Sequence, residues 1–395
     1  MFTTTRHDFT PTLSPGLDAE PARSNELIER YETILTDRRL NWTAHQRLGK
    51  LLGTGGQGVV YLTERRGADD FTLPVALKIF SPERFRLPLE YDVAMSRIAR
   101  VASRVAQIQH DNLLDVHNFI DRNRIRMMEM EWVDGYDLRE LLVAEMLDRV
   151  RHRVSTRRWE YINRVLVTAG PMHPRIKAGV SVAIVRDCLA ALAALHREGV
   201  VHGDIKPANI MLKRTGNAKI VDIGSAFEID DPPQARTCTP AYAAPEVLDG
   251  NECTPRSDLA SLGYVLIELL AGRPMFIGIK TLKDLLEAKR TLPQRLGSIL
   301  PQEVTVNDLL MSFCRGLVAP DPARRFPSAE AADMLQEGAA AFHRQLVKSD
   351  LAAEYGNEIR LWLEELKDLE DSLGPSENLG SRRLGDSSRN LDGIA

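Results

Sequence analysis

The stretch LLGTGGQGVVYLTE, residues 51 to 64, sets Gly53, Gly55 and Gly58 at G-x-G-x-x-G spacing and then runs on as a β-branched, strand-like segment. Glycines so spaced let a hairpin bring backbone N–H groups down on phosphate oxygens without side-chain obstruction. Dinucleotide-binding folds use the same spacing, but there the turn must open a helix. Here strand-like sequence lies on both sides of the turn, which excludes that architecture. A glycine turn that serves only structure stays open until the next motif is read.

The apolar pattern changes along the chain. GVVYLTE (58–64) and PVALKIF (74–80) read as strands by composition and length. Residues 94 to 109 carry Met95, Ile98, Ala102, Val105 and Ile108 at helical spacing. Beyond Asp137 the reading is mostly helical, with the clearest helices over 182–199, 257–272 and 328–346. A small β-rich lobe with one main helix, followed by a larger helical lobe, is therefore available within 395 residues.

Lys78 sits in the second strand-like run, Val75-Ala76-Leu77-Lys78, about 20 residues past the glycines. An ammonium on a central strand beneath a glycine lid suits the α and β phosphates of a nucleotide; the alternative is a solvated edge lysine. HGDIKPAN (202–209) then offers one carboxylate, one cation and one amide oxygen within a few residues of a buried-looking Val-Val pair. A carboxylate that positions a hydroxyl and a cation that offsets charge on a moving group suit phosphoryl transfer.

These motifs, in order, make the chain from about Leu48 to Phe342 resemble a eukaryotic-type, bacterial Hanks-type serine/threonine protein kinase. The resemblance implies an α+β bilobal fold and use of ATP and Mg2+. It implies Asp204 and Lys206 as catalytic residues, and Asn209 and Asp222 (in IVDIGSAF) as metal ligands. It also implies a nucleotide site made by Gly53, Gly55, Gly58, Val60, Ala76, Lys78, the hinge residues Met130, Glu131 and Val133, and Asp137 and Met211. Glu246, in Ala244-Pro245-Glu246, would pair with Arg325, and Asp258 would tie the catalytic loop to a following helix.

Two positions depart from the family pattern. From Val93 through His110 no residue is acidic, and Val101 stands where the family's helix glutamate would pair with the strand lysine. Arg97, Arg100 and Arg104 stud that helix instead. Either Glu90 or Asp92 substitutes, or Lys78 lacks such a partner, and a nucleotide-binding pseudokinase is the alternative function. Gly203 replaces the arginine that in many protein kinases grips a phosphate on the activation segment. The expectation is activity that does not require phosphorylation within 225–239. Small-molecule kinases of the aminoglycoside and choline type also read His-Gly-Asp, but lack the counterparts of Lys206 and Ala244-Pro245-Glu246.

The domain expectation is a flexible arm over 1–44 with at most a short helix near 25–35, and a kinase domain over 45–346. Within that domain the small lobe covers 45–130 and the large lobe 134–346, with a basic insert at about 143–177. An amphipathic helix over 347–373 and a disordered tail over 374–395 complete the chain. RVRHRVSTRRW (149–159) is either a solvated helical insert or a docking surface for an acidic or phosphorylated partner. Tyr355, Ile359, Trp362, Leu366, Leu369 and Leu373 form a heptad seam, either for self-association or for packing back on the large lobe. Near-balanced charge, 51 Lys plus Arg against 55 Asp plus Glu, gives no argument for nucleic acid. No apolar run around 262–271 is long enough for a bilayer, and Cys188, Cys238, Cys253 and Cys314 show no paired spacing. The expectation is a cytoplasmic protein without a membrane anchor, acting on a protein substrate.

Overall fold

The computed structural model describes residues 21–37, 39–41, 45–67, 69–233, 238–348 and 355–373. The small lobe is built on five antiparallel strands: β1 (Leu51–Gly55), β2 (Gly58–Arg66), β3 (Thr72–Phe80), β4 (Val116–Arg122) and β5 (Ile125–Glu131). Their spatial order is β1-β2-β3-β5-β4, so β3 is central, and Lys78 lies between Val60 of β2 and Met128 of β5. Alternation along β3 divides its side chains between two faces. Leu77 and Ile79 join one apolar cluster, while Ala76 and Phe80 join another that contains helix α2 (Pro88–Val105). Lys78 shares the parity of Ala76 and Phe80, which turns it toward the interlobe side.

The other face of the sheet extends one expectation, the short helix near 25–35. That helix is longer and docked: α1 (Pro21–Asp37) buries Leu27, Tyr31 and Ile34 against Leu77, Ile79, Ile125 and Met127. A four–three spacing of large apolar residues supplies the stripe that a sheet with two buried faces requires. Residues 1–20 of the expected arm lie outside the described residues, as does the tail 374–395.

The large lobe packs around α5 (Ala178–Arg197), after the insert helices α3 (Ala144–Arg151) and α4 (Thr156–Val165). By length and composition α5 is long and apolar enough to cross a bilayer, yet most of it is buried within the fold. Beyond it come β6 (Ile210–Lys213), β7 (Ala218–Ile220), α6 (Pro255–Ala271) and α7 (Leu282–Ile299). The single helix predicted over 328–346 is two, α8 (Ala329–Met334) and α9 (Ala339–Lys348). Gly338 sits at the break, where a Cβ would lie 2.6 Å from the carbonyl oxygens of Ala332 and Asp333.

The last described helix, α10 (Tyr355–Leu373), packs back on the lobe. Tyr355, Ile359, Trp362 and Leu366 of the predicted seam are buried in the main core; the side chains of Leu369 and Leu373 lie outside the description. The basic insert is not a wholly solvated helix either. Met146, Leu147, Val150, Ile162 and Leu166 are buried, and a two-stranded ribbon, Val167–Thr168 with Arg175–Ile176, closes it.

Candidate active site

The residues the sequence assigns to catalysis, metal and nucleotide all line one interlobe cleft, from Gly53, Gly55 and Gly58 through Lys78 and the hinge to Asp204, Lys206, Asn209, Met211 and Asp222. Val60 and Ala76 come from the sheet and Met211 from β6, so apolar side chains line the cleft from both lobes. Met130 is paired with Ala76 in the sheet, and Val133 is buried just beyond it. Glu131 is tied down by the Asp115 amide at 2.7 Å and by the buried Lys219. Asp137 caps the short helix that follows, accepting from the Glu140 amide at 2.8 Å, and burial raises its pKa.

The three glycines differ in what demands them. At Gly58 φ is +137° and a Cβ would sit 1.9 Å from the Ile79 carbonyl oxygen, so the fold itself excludes a side chain. At Gly53 and Gly55 a Cβ would meet nothing within 4 Å. Their bareness is unexplained by packing and leaves the loop open for a ligand's close approach.

The catalytic loop is held from behind. Asp258 of α6 accepts from the His202 and Gly203 amides, both at 2.9 Å, and from His196 Nε2 at 2.9 Å. Asp258 thus does what the sequence assigns it. His202 is fully buried and its pKa is lowered by that burial; its Nδ1 accepts the Asp204 amide at 3.3 Å. Asn209 Nδ2 donates to the Asp204 carbonyl at 2.8 Å, which commits the amino end and leaves the amide oxygen as the end a cation could take.

Thr239, which lies in the 225–239 segment where the sequence marks only possible phosphorylation, has a larger part. Its hydroxyl donates to Asp204 Oδ1 at 2.8 Å, while Lys206 Nζ donates to Asp204 Oδ2 and, at 3.1 Å, to Thr239 Oγ1. A carboxylate, an ammonium and a hydroxyl are locked together where an acceptor hydroxyl would enter. Spacing along the chain could not reveal this, because Thr239 is brought back by the fold of the segment anchored at Glu246. There Arg325 forms a two-pronged pair with Glu246, both contacts at 2.7 Å.

Asp222 adopts φ +66°, an uncommon conformation for a non-glycine residue and one that clusters at functional sites. The Val221 amide donates to the Asn209 carbonyl at 2.9 Å, which sets Asp222 beside Asn209. Burial works to raise the Asp222 pKa, but Lys78, the Gly224 amide and Lys206 together outweigh it and hold the carboxyl at about 2. An ionised carboxylate beside an amide oxygen is a donor set that fits Mg2+, which takes few protein oxygens and completes its shell with phosphate and water. Ile223 is fully buried in the core, filling the space next to this aspartate.

The partner of Lys78 is neither candidate named from the sequence. Glu90 Oε2 accepts the Arg86 amide at the start of α2, and Asp92 pairs with Arg124 and Arg126. Val101 is a buried core residue. Lys78 Nζ instead donates to Asp222 and, at 2.7 Å, to Gln57 Oε1. The helix arginines also have partners: Arg97 and Arg100 face Asp231, and Arg104 Nε lies 2.6 Å from Glu228 Oε1.

Comparison with known proteins agrees with this geometry. A family model, Protein kinase domain, matches residues 46–336. The chain is 31% identical over 294 residues to the serine/threonine-protein kinase PkaA of Streptomyces coelicolor, covering 71% of this chain and 47% of that protein. It is 32% identical over 287 residues to PknD of Mycobacterium tuberculosis and 28% identical over 295 residues to PrkC of Bacillus subtilis, both also named serine/threonine-protein kinases. Those matches cover 72% and 71% of this chain and 38% of each relative. The chain thus spans less than half the length of these curated relatives. With the family model matching most of its length, the chain belongs to the protein kinase family.

Proposed function

We propose that the chain is an ATP- and Mg2+-dependent serine/threonine protein kinase that passes the γ-phosphoryl group to a protein hydroxyl. The observation that carries this reading is the Asp204–Lys206–Thr239 network, with Asp222 and Asn209 joined to the same loop. Asp204 orients the incoming hydroxyl and accepts its proton, while Lys206 offsets the charge on the moving group. Lys78 steadies the α and β phosphates beneath the glycine loop. Asp222 and the Asn209 oxygen would hold Mg2+, whose charge neutralises the phosphate oxygens.

We also infer that activity does not depend on phosphorylation of the activation segment. Gly203, at φ +74°, has no side chain with which to hold a phosphate. Arg97, Arg100 and Arg104 of α2 are already engaged by Asp231 and Glu228, so carboxylates of the segment itself supply the negative partners. The joint presence of Lys78, Asp204, Asn209 and Asp222 in one cleft favours an enzyme over a nucleotide-binding scaffold. Lys206 and the Glu246–Arg325 anchor favour a protein substrate over a small alcohol.

Mass-spectrometric comparison of phosphorylated proteins in cells carrying the wild type or Asp204→Ala tests the reading. Serine and threonine sites should disappear with the variant; identical phosphoproteomes would contradict it.

A further inference from the structure

The acids of helix α2, Glu90 and Asp92, are engaged elsewhere and Val101 stands where one would aim Lys78, yet Lys78 is only 4% exposed and its ammonium needs acceptors. Asp222 supplies one, but the same carboxylate is the proposed cation ligand. When a cation and phosphates occupy the cleft, Asp222 must be shared. Gln57 Oε1, at 2.7 Å, is the acceptor that no other role claims.

Gln57 is itself held at three points. Its carbonyl accepts the Ser81 amide at 3.0 Å, which pins the loop tip to the end of β3. Its Nε2 donates to Ser225 Oγ at 2.9 Å, so the amide cannot flip without breaking a bond at each end. Gly224 makes the room: a Cβ there would lie 2.0 Å from Gln57 Oε1 and 2.7 Å from Lys78 Nζ. Three separate segments, the glycine loop, β3 and the stretch after Asp222, thus converge on one amide.

We propose that Gln57 is the positioning residue for Lys78, supplying from the glycine-rich loop the acceptor that helix α2 lacks; this rests on the nucleotide-binding part of the reading above. Two consequences distinguish it from a helix glutamate. The acceptor is neutral, so it orients the ammonium without cancelling the charge that the phosphates meet. And because it rides on the lid, closing the glycine loop and aligning the lysine become one event.

The test is a double-mutant cycle on the full chain, reading affinity for a fluorescent ATP analogue in MgCl2. Gln57→Met keeps the volume and removes the acceptor. It should weaken binding by about tenfold in the wild-type background and by less than about twofold in a Lys78→Met background. Equal losses in both backgrounds, or no loss in either, would overturn the proposal, since a merely structural role for Gln57 does not depend on Lys78. Phosphate transfer is read separately on the same proteins. Coupling without transfer to protein would leave Gln57 in place and refute the kinase reading; transfer without coupling would refute only the role of Gln57. A wild type that binds no nucleotide would refute both.

Discussion

Arg158 Nε donates to Glu365 Oε1 at 2.7 Å and its Nη1 lies 3.6 Å from Glu358 Oε2, joining the basic insert to the C-terminal helix of the same chain. The acidic surface that the insert faces is therefore, at Arg158, internal. The helix also approaches closely enough to demand glycines beneath it. A Cβ on Gly216 would lie 1.8 Å from the Gly356 carbonyl oxygen, and one on Gly179 would lie 2.2 Å from the Tyr355 ring.

From this docking follows a stability expectation. Trp362→Ala, at a site 1% exposed, should destabilise the chain by about 3–5 kcal/mol, and Arg158→Ala by about 1 kcal/mol or less. Gly179→Ala should resemble Trp362→Ala and make α10 accessible to protease. Urea midpoints measure all three; a Trp362→Ala midpoint equal to wild type would show the helix contributes nothing to the fold.

The glycine loop separates structural from ligand-facing positions. Gly58→Ala should lower stability by roughly 1–3 kcal/mol, because the conformation and the Ile79 carbonyl both oppose a methyl group. Gly55→Ala should leave the melting temperature nearly unchanged and weaken nucleotide binding. Thermal melts paired with nucleotide titration check this, and the opposite ranking would mean the loop does not face a ligand.

The arginine pairs on α2 predict how the segment after Asp222 is held. Asp231→Ala should lower the transfer rate by about two- to fivefold, the scale of exposed ion pairs. Thr237→Ala, at a position outside the described residues, should keep the wild-type rate. An enzyme that needs phosphate at Thr237 would reverse that order.

Two carboxylates make pH expectations of opposite sign. Asp187 is pushed up to about 6 by burial, against the Ala218 amide bond of 2.7 Å and the nearby Lys213 and Arg186. Between about pH 4 and 6 the native chain keeps a proton that the unfolded chain has released, so this group's contribution to stability falls as pH rises through that window. Asp187→Asn should therefore raise stability more at pH 8 than at pH 5, by about 1 kcal/mol. Asp222, held at about 2, contributes stability above its ordinary carboxylate range and loses it only as pH falls toward 2. Melting curves of wild type and Asp187→Asn at both pH values decide the first point; an equal shift at each would refute it.

Residue order revealed the lobes and the cleft because each motif carries its chemistry within a few residues: the glycines, Lys78, HGDIKPAN and Asp222. It was weaker wherever function depends on which surface covers another. The stripe of Leu27, Tyr31 and Ile34 is plain in the sequence, yet nothing local says that a sheet lies beneath it. The seam of α10 reads equally well as a partner's face or the chain's own core. A glutamine in a glycine turn has no signature, so the sequence does not mark Gln57. The one signal for another acceptor near Lys78 is the acid-free run from Val93 through His110.

The most direct measurement is transfer of labelled γ-phosphate from ATP, with Mg2+, by the wild type and by Asp204→Ala, followed by identification of the modified residues. The expected result is label on serine or threonine of a protein, reduced by about 10²–10⁴-fold in the variant. Equal labelling by the two proteins would contradict the account.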